Sequence, residues 1–221
     1  MRVPIVIYGA GGFAREVAEL IRDINQAEYK WDLLGFLTDD ESQHGASLNG
    51  LPILGGTEFL RQSVQGIQVA LGVGSPAMKL RMAKQAKRAA EGFPNLVHPT
   101  VVRSESVTLG QGVVITAGNI LTANIALGDF SMINLACTVG HDCELGAYAT
   151  LSPGANISGH VKIGMGTDIG TGSTAIQGIT IGSWSVVGAG AVVAGDLPDN
   201  CTAVGVPAKV IKTREEGWQR S

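Results

Sequence analysis

The stretch INLACTVGHDCELGAYATLSPGANISGHVKIG, Ile133 to Gly164, decides the fold. Aliphatic side chains stand six apart in it, at Ile133, Val139, Leu145, Leu151, Ile157 and Ile163. A spacing of six fits neither the period of an α-helix nor the alternation of a hairpin strand. It is the repeat of a parallel β-helix. Followed outward, the pattern runs from Leu109 to Val193 without insertion, and of its fifteen slots only Ala175 is not Leu, Ile or Val. Four residues after each aliphatic, small or apolar side chains dominate, as at Val113, Ser131, Cys137, Cys143, Ala149, Ala155, Ser173 and Ala191. Glycine often follows the aliphatic directly, as at Gly110, Gly128, Gly140 and Gly146. Three hexads make one triangular coil, so fifteen make five coils, a prism about 24 Å tall at ~4.8 Å per strand. Corners are expected at Gly and Asn, where positive φ is easiest, and Asn134 reads as one of them.

Ahead of the repeat the rules change. Ile5–Tyr8 reads as a buried strand, Gly9–Gly12 as a tight turn, and Phe13–Ile24 as a helix with one apolar face. Further strands are expected at Leu33–Leu37, Gly50–Leu54 and Ile67–Gly74, with helices near Glu58–Arg61 and over Pro76–Ala90. Alternating strands and helices predict a small parallel sheet with its ligand beyond the carboxyl ends of the strands. The expected fold is therefore an α/β Rossmann-like domain over 1–96, an all-β parallel β-helix over 97–200, and a C-terminal cap over 201–221.

Composition narrows the partners. A net charge of −3 over 221 residues offers no basic surface for nucleic acid or an anionic membrane. No apolar run reaches the roughly 20 residues of a membrane span. Cys137, Cys143 and Cys201 are odd in number and lack metal-ligand spacing, so they read as small reduced core residues of a cytoplasmic protein.

Gly9, Gly11 and Ala14 fit the dinucleotide fingerprint G-x-G-x-x-G/A. An NAD-dependent oxidoreductase would carry its ribose-binding acid about 20 residues after the glycines, whereas Asp39 lies 28 after Gly11. A β-helix metalloenzyme of the carbonic-anhydrase type would need three histidines for zinc. The repeat supplies His141 and His160, with His98 at its edge and no close pair expected, so no metal is assigned. A purely structural β-helix leaves "VGHDC" unexplained, because Ala123 and Gly159, one coil below and above His141, are both small. That gap is read as room for a substrate and a thioester.

Nearly the whole chain resembles the sugar O- and N-acetyltransferases of bacterial glycan synthesis, the family of the sialic acid O-acetyltransferases and UDP-amino-sugar acetyltransferases. The resemblance rests on YGAGGFAREV, LLGFLTDD, LVHPTV, INLACTVGHDCELG, ISGHVKIG, VVGAGAVV and AVGVPAKVI, in that order. It implies a left-handed β-helix, acetyl-CoA as donor, a sugar or nucleotide-sugar acceptor, and a homotrimer with active sites between neighbouring prisms. It carries a general-base role onto His141, support of its basicity onto Asp142, and a polar site role onto Asn134. Histidine suits that role because its pKa lies near working pH. Thr150, Gly159, Thr171, Ala189 and Lys209 match positions that meet acetyl-CoA. Gly11, Gly12, Phe13, Asp39, Asp40 and Gly72 match positions that hold a nucleotide-sugar. Phe13 stands where relatives often have His, and GVGSPAMKLR departs from the usual Gly-Asn stretch, with Lys79 or Arg81 as stand-ins for a nearby Arg.

Overall fold

The computed structural model describes residues 2–63 and 66–220. The chain divides into two compact units, Met1–Gly74 with Met78–Pro99, and Ser75–Ala77 with Thr100–Ser221.

The first unit is built from β1 (Val3–Tyr8), α1 (Gly12–Ala27), β2 (Trp31–Leu37), β3 (Ser47–Leu48), β4 (Leu51–Gly55), α2 (Glu58–Gln62), β5 (Gln68–Leu71) and α3 (Pro76–Ala86). The sheet order is β3-β4-β2-β1-β5, parallel except for the β3–β4 pair. Strand β1 is central, and Ile5, Val6 and Ile7 are fully buried. Helix α1 buries Ala14, Val17, Ala18, Leu20, Ile21 and Ile24, the three- and four-residue spacing of one helical face. Successive strands diverge to opposite sides of β1, so the crevice at its carboxyl end, beside that of β5, is where such a sheet takes a ligand. Gly72 N–H donates to the Tyr8 carbonyl at 2.7 Å, and a Cβ on Gly9 would lie 2.8 Å from Gly72 O. The two strand exits run too close together for a side chain at Gly9. The helical pattern read to Ala90 stops at Ala86. Beyond it Glu91 N–H donates to Ile67 O, and Val69 N–H to Gly92 O, so pairing with the edge of the sheet replaces further helical turns.

The second unit is a left-handed parallel β-helix of two-residue strands joined by sharp corners. Thr138–Val139 pairs with Ile120–Leu121 on one side and Asn156–Ile157 on the other, a repeat of 18 residues. Three sheets form the walls. Six strands run from Val102–Arg103 to Val192–Val193, and five from Thr108–Leu109 to Thr180–Ile181. The third wall includes Val114–Ile115 through Val186–Val187 and ends in the hairpin Cys201–Gly205 with Ala208–Thr213. Two side chains of each hexad point inward. Ile133 and Leu151 in the aliphatic slot are fully buried, as are Cys137, Cys143, Ala149 and Ala155 four residues on. All three cysteines are free and buried.

One feature of the corners differs from expectation. The left-handed residue is the third after each aliphatic, at Asn124, Phe130, Ala136, Asp142, Tyr148, His160 and Trp184, with φ between 54° and 62°. Asn134 and the glycines that directly follow the aliphatics do not take that conformation. Those glycines answer to crowding instead. A Cβ on Gly140 would lie 2.6 Å from the backbone N of Gly159 in the next coil.

Candidate active site

Strand Thr138–Val139 delivers Gly140 and His141 to a corner, and the left-handed turn at Asp142 sends the chain into the next wall. Asp142 N–H donates to Ala123 O at 2.9 Å and His160 N–H to His141 O at 2.8 Å, so ladder bonds to both neighbouring coils hold this corner. The imidazole is half exposed, and its Nδ1 lies 2.8 Å from Asp142 Oδ2. Asn124, one coil below, donates from Nδ2 to the other carboxylate oxygen at 3.0 Å. These bonds, from His141 first and then Asn124, hold the Asp142 carboxyl below its ordinary range. A carboxylate on Nδ1 places the ring proton there and leaves Nε2 as an acceptor.

Gly159 explains where that acceptor sits. A Cβ at this position would come within 2.7 Å of both Cε1 and Nε2 of His141. The space left by the missing side chain is therefore filled by the imidazole itself, not held open for substrate. His160 also lies elsewhere than the repeat register implies. Its ring meets that of His141 edge-on, with centroids 4.9 Å apart, and its Nε2 is 3.7 Å from Asp142 Oδ2. The two histidines are a close pair after all. Nineteen positions separate them, one more than a coil, and the left-handed turn at His160 brings its ring back over the coil below. His98 is held by Asp23 at 3.2 Å.

The other expected site residues fall into separate groups. Asn134 lies at the corner that precedes Thr138–Val139, where His141 lies at the corner that follows. Its Oδ1 accepts from Leu135 N–H at 2.8 Å and is 3.4 Å from Thr116 Oγ1. Thr171 and Ala189 are exposed on successive coils of the same corner as Asn134, joined by Gly190 N–H to Thr171 O at 2.8 Å. Thr150 is 2% exposed on the third wall, and Lys209 is exposed in the final hairpin.

In the first unit a cleft of about 270 Å³ opens at the carboxyl ends of β1, β2 and β5, lined by Tyr8, Gly9, Ala10, Gly11, Asp39, Asp40, Gly72, Met78, Arg81 and Met82 among others. Arg81 lines it, whereas Lys79 does not and is 3% exposed. Gly12 and Phe13 begin α1 outside the lining. Tyr8 was not singled out from sequence. Its hydroxyl donates to Asp39 Oδ1 with Gln85 Oε1 3.1 Å away, and burial foremost, then the bond to Asp39, pushes the phenol's pKa up. Its place as the last strand residue before the glycine turn was the available signal. Asp40 is occupied locally, accepting from Ser42 N–H at 3.1 Å and Gln43 Nε2 at 2.6 Å as the cap of a short 3₁₀ turn.

Comparison with known proteins gives this arrangement a context. Residues 4–86 match the family model described as the PglD N-terminal domain. The acetyltransferase domain of PglB from Neisseria gonorrhoeae FA1090, solved with acetyl coenzyme A, is 36% identical and superposes with a TM-score of 0.87 over 96% of this chain and 100% of that one. The chain belongs to the left-handed β-helix sugar acetyltransferases. Its donor is acetyl-CoA and its reaction class is sugar acetylation. Another member of the family, PerB from Caulobacter crescentus in complex with CoA and GDP-perosamine, is 34% identical with a TM-score of 0.86 over 95% of this chain and 97% of that one. GDP-perosamine N-acetyltransferase of Escherichia coli O157:H7 is 28% identical over 146 residues, 66% of this chain and 66% of that protein. Among the described residues no helix is long and apolar enough to cross a membrane.

Proposed function

We propose that this enzyme transfers the acetyl group of acetyl-CoA to the amine of a nucleotide-linked amino sugar, with His141 as general base. The observation that carries the reading is the 2.8 Å bond between His141 Nδ1 and Asp142, which leaves Nε2 free to accept a proton. As the amine attacks the thioester carbonyl, Nε2 takes its proton, and the Asp142 carboxylate favours the imidazolium that forms. The tetrahedral centre then expels CoA as thiolate, and the imidazolium returns the proton to sulfur. The amine acceptor is supported by the family members named for perosamine N-acetylation. The cleft at the glycine turn is read as the nucleotide site, where backbone N–H groups at the start of α1 meet a diphosphate and Asp39 meets ribose or base donors.

The placement of Asn134, Thr171 and Ala189 at one corner and His141 at another supports a homotrimer. In that assembly, Asn134 and the acetyl-CoA contacts of one subunit face His141 of its neighbour. Exposed Ile120, Leu135 and Ile176 add apolar surface for such an interface. Acetyl-CoA and nucleotide-sugars are both cytoplasmic metabolites, so the reading places the enzyme there.

The test is product formation from acetyl-CoA with GDP-, UDP- and dTDP-linked amino sugars, followed by mass spectrometry. Mass gain of one acetyl on an amino sugar, absent with the corresponding hydroxyl sugar, is expected. Acetylation of hydroxyl sugars alone overturns the amine reading. NAD should give no thermal stabilisation where acetyl-CoA does.

A further inference from the structure

The pairing of His160 with His141 and Asp142 is not needed for the chemistry just described. We propose that His141, Asp142 and His160 form a three-ligand site for a divalent transition metal of the zinc class, and that its occupancy switches the enzyme off. This builds on the reading of His141 as the base.

One ligand atom from each residue lies within 4.8 Å of the other two. His141 Nδ1 is 2.8 Å from Asp142 Oδ2, and His160 Nε2 is 3.7 Å from that same oxygen. Tetrahedral zinc with imidazole and carboxylate ligands at ~2.0–2.2 Å sets its donors about 3.3 Å apart. The two separations from Asp142 Oδ2, 2.8 and 3.7 Å, lie on either side of that spacing. All three side chains are between 38% and 55% exposed, so an ion can enter and a fourth position stays open to water. The frame beneath them is fixed by the ladder bond from His160 N–H to His141 O. Asn124 occupies Asp142 Oδ1, which turns Oδ2 toward both imidazoles, the kind of outer support that orients a metal ligand. Two imidazoles and one carboxylate suit zinc rather than magnesium or calcium.

The inhibitory consequence follows from the tautomer. Metal on Nδ1 takes the place of the proton held there toward Asp142; that proton leaves to solvent and Nε2 takes one up, so the neutral ring's single N–H lies on Nε2. His141 then presents a donor where the reaction needs an acceptor. The proton count of the ring is unchanged, but its N–H is on the wrong nitrogen.

The experiment uses tag-free full-length protein, zinc sulfate in a non-chelating buffer, calorimetry for binding, and initial rates of acetyl transfer. One zinc per chain is expected, with turnover falling in proportion to occupancy and returning when EDTA is added. His160→Gln should keep its zinc-free turnover and need at least tenfold more zinc for half inhibition. Absence of stoichiometric binding, or equal zinc sensitivity in His160→Gln, overturns the proposal. Binding that depends on His160 yet leaves turnover intact upholds the metal site and overturns its inhibitory role, and it removes His141 from the base role; loss of turnover in His141→Ala, measured without zinc, tests that role separately.

Discussion

Two corners of the same prism have the same backbone and opposite uses. At one, the left-handed positions carry Phe130, Tyr148, Gly166 and Trp184. Phe130 and Tyr148 stack with centroids 5.3 Å apart and planes 5° from parallel. Trp184 lies where a side chain on Gly166 would be, since a Cβ there would be 2.3 Å from the indole. At the other, the same positions carry Asn124, Asp142, His160 and Gly178. Here it is His141 that fills the side-chain space of a glycine, Gly159. In both cases a ring from one coil occupies a side-chain gap on the next. At the aromatic corner the result is packing, with Phe130 only 4% and Trp184 9% exposed. At the polar corner it is a half-exposed imidazole bonded through Nδ1 to Asp142. The coil geometry supplies the gap, and the side chain placed in it decides whether the gap contributes stability or chemistry.

The largest effect is expected at the imidazole. His141→Ala should lower kcat by about 10²–10⁴-fold, the usual worth of a general base, with secondary structure and oligomer size unchanged. Near-normal turnover would reduce the polar corner to another packing site. Gly159→Ala tests the gap rather than the base. Its Cβ must displace the ring, and a misplacement of about 1 Å can cost ~10²-fold in rate. Retained turnover would mean that the orientation set by Gly159 does not matter. The smallest effect on catalysis is expected at the matching gap of the aromatic corner. Gly166→Ala should leave turnover per folded enzyme unchanged while it lowers stability by about 1–3 kcal/mol through overpacking against Trp184, read by denaturant titration. Loss of turnover there, at full folding, would show that the two corners are coupled.

The repeat was legible because inward-facing side chains must be apolar at every turn, and that demand writes a period of six into the chain. The left-handed residues were not. Glycine is favoured at two slots of the hexad for different reasons, positive φ at one and close coil contact at the other. Composition cannot tell them apart, so the pattern points to positive φ at Asn134, whereas the left-handed residue is Asp142. The His141–His160 pair was missed for a related reason. Register arithmetic finds neighbours 18 apart, such as Asn124 and Asp142, but not neighbours 19 apart that the turn at His160 brings together. In the first unit the strand, glycine turn and helix were plain from local pattern. The bond between Tyr8 and Asp39, 31 residues apart, depends on β1 and β2 lying side by side.

The β-helix, its register, and the α/β unit ahead of it are written in the amino-acid sequence alone, because each rests on periodic burial that one strand or helix can display without its neighbours. Packing between coils sets the rest: Gly159 receives the His141 ring, Asn124 and His160 flank Asp142, and Asn134 stands at a different corner. Those are distances between coils. They follow from a left-handed residue turning a side chain toward its neighbour, and no single hexad contains that information.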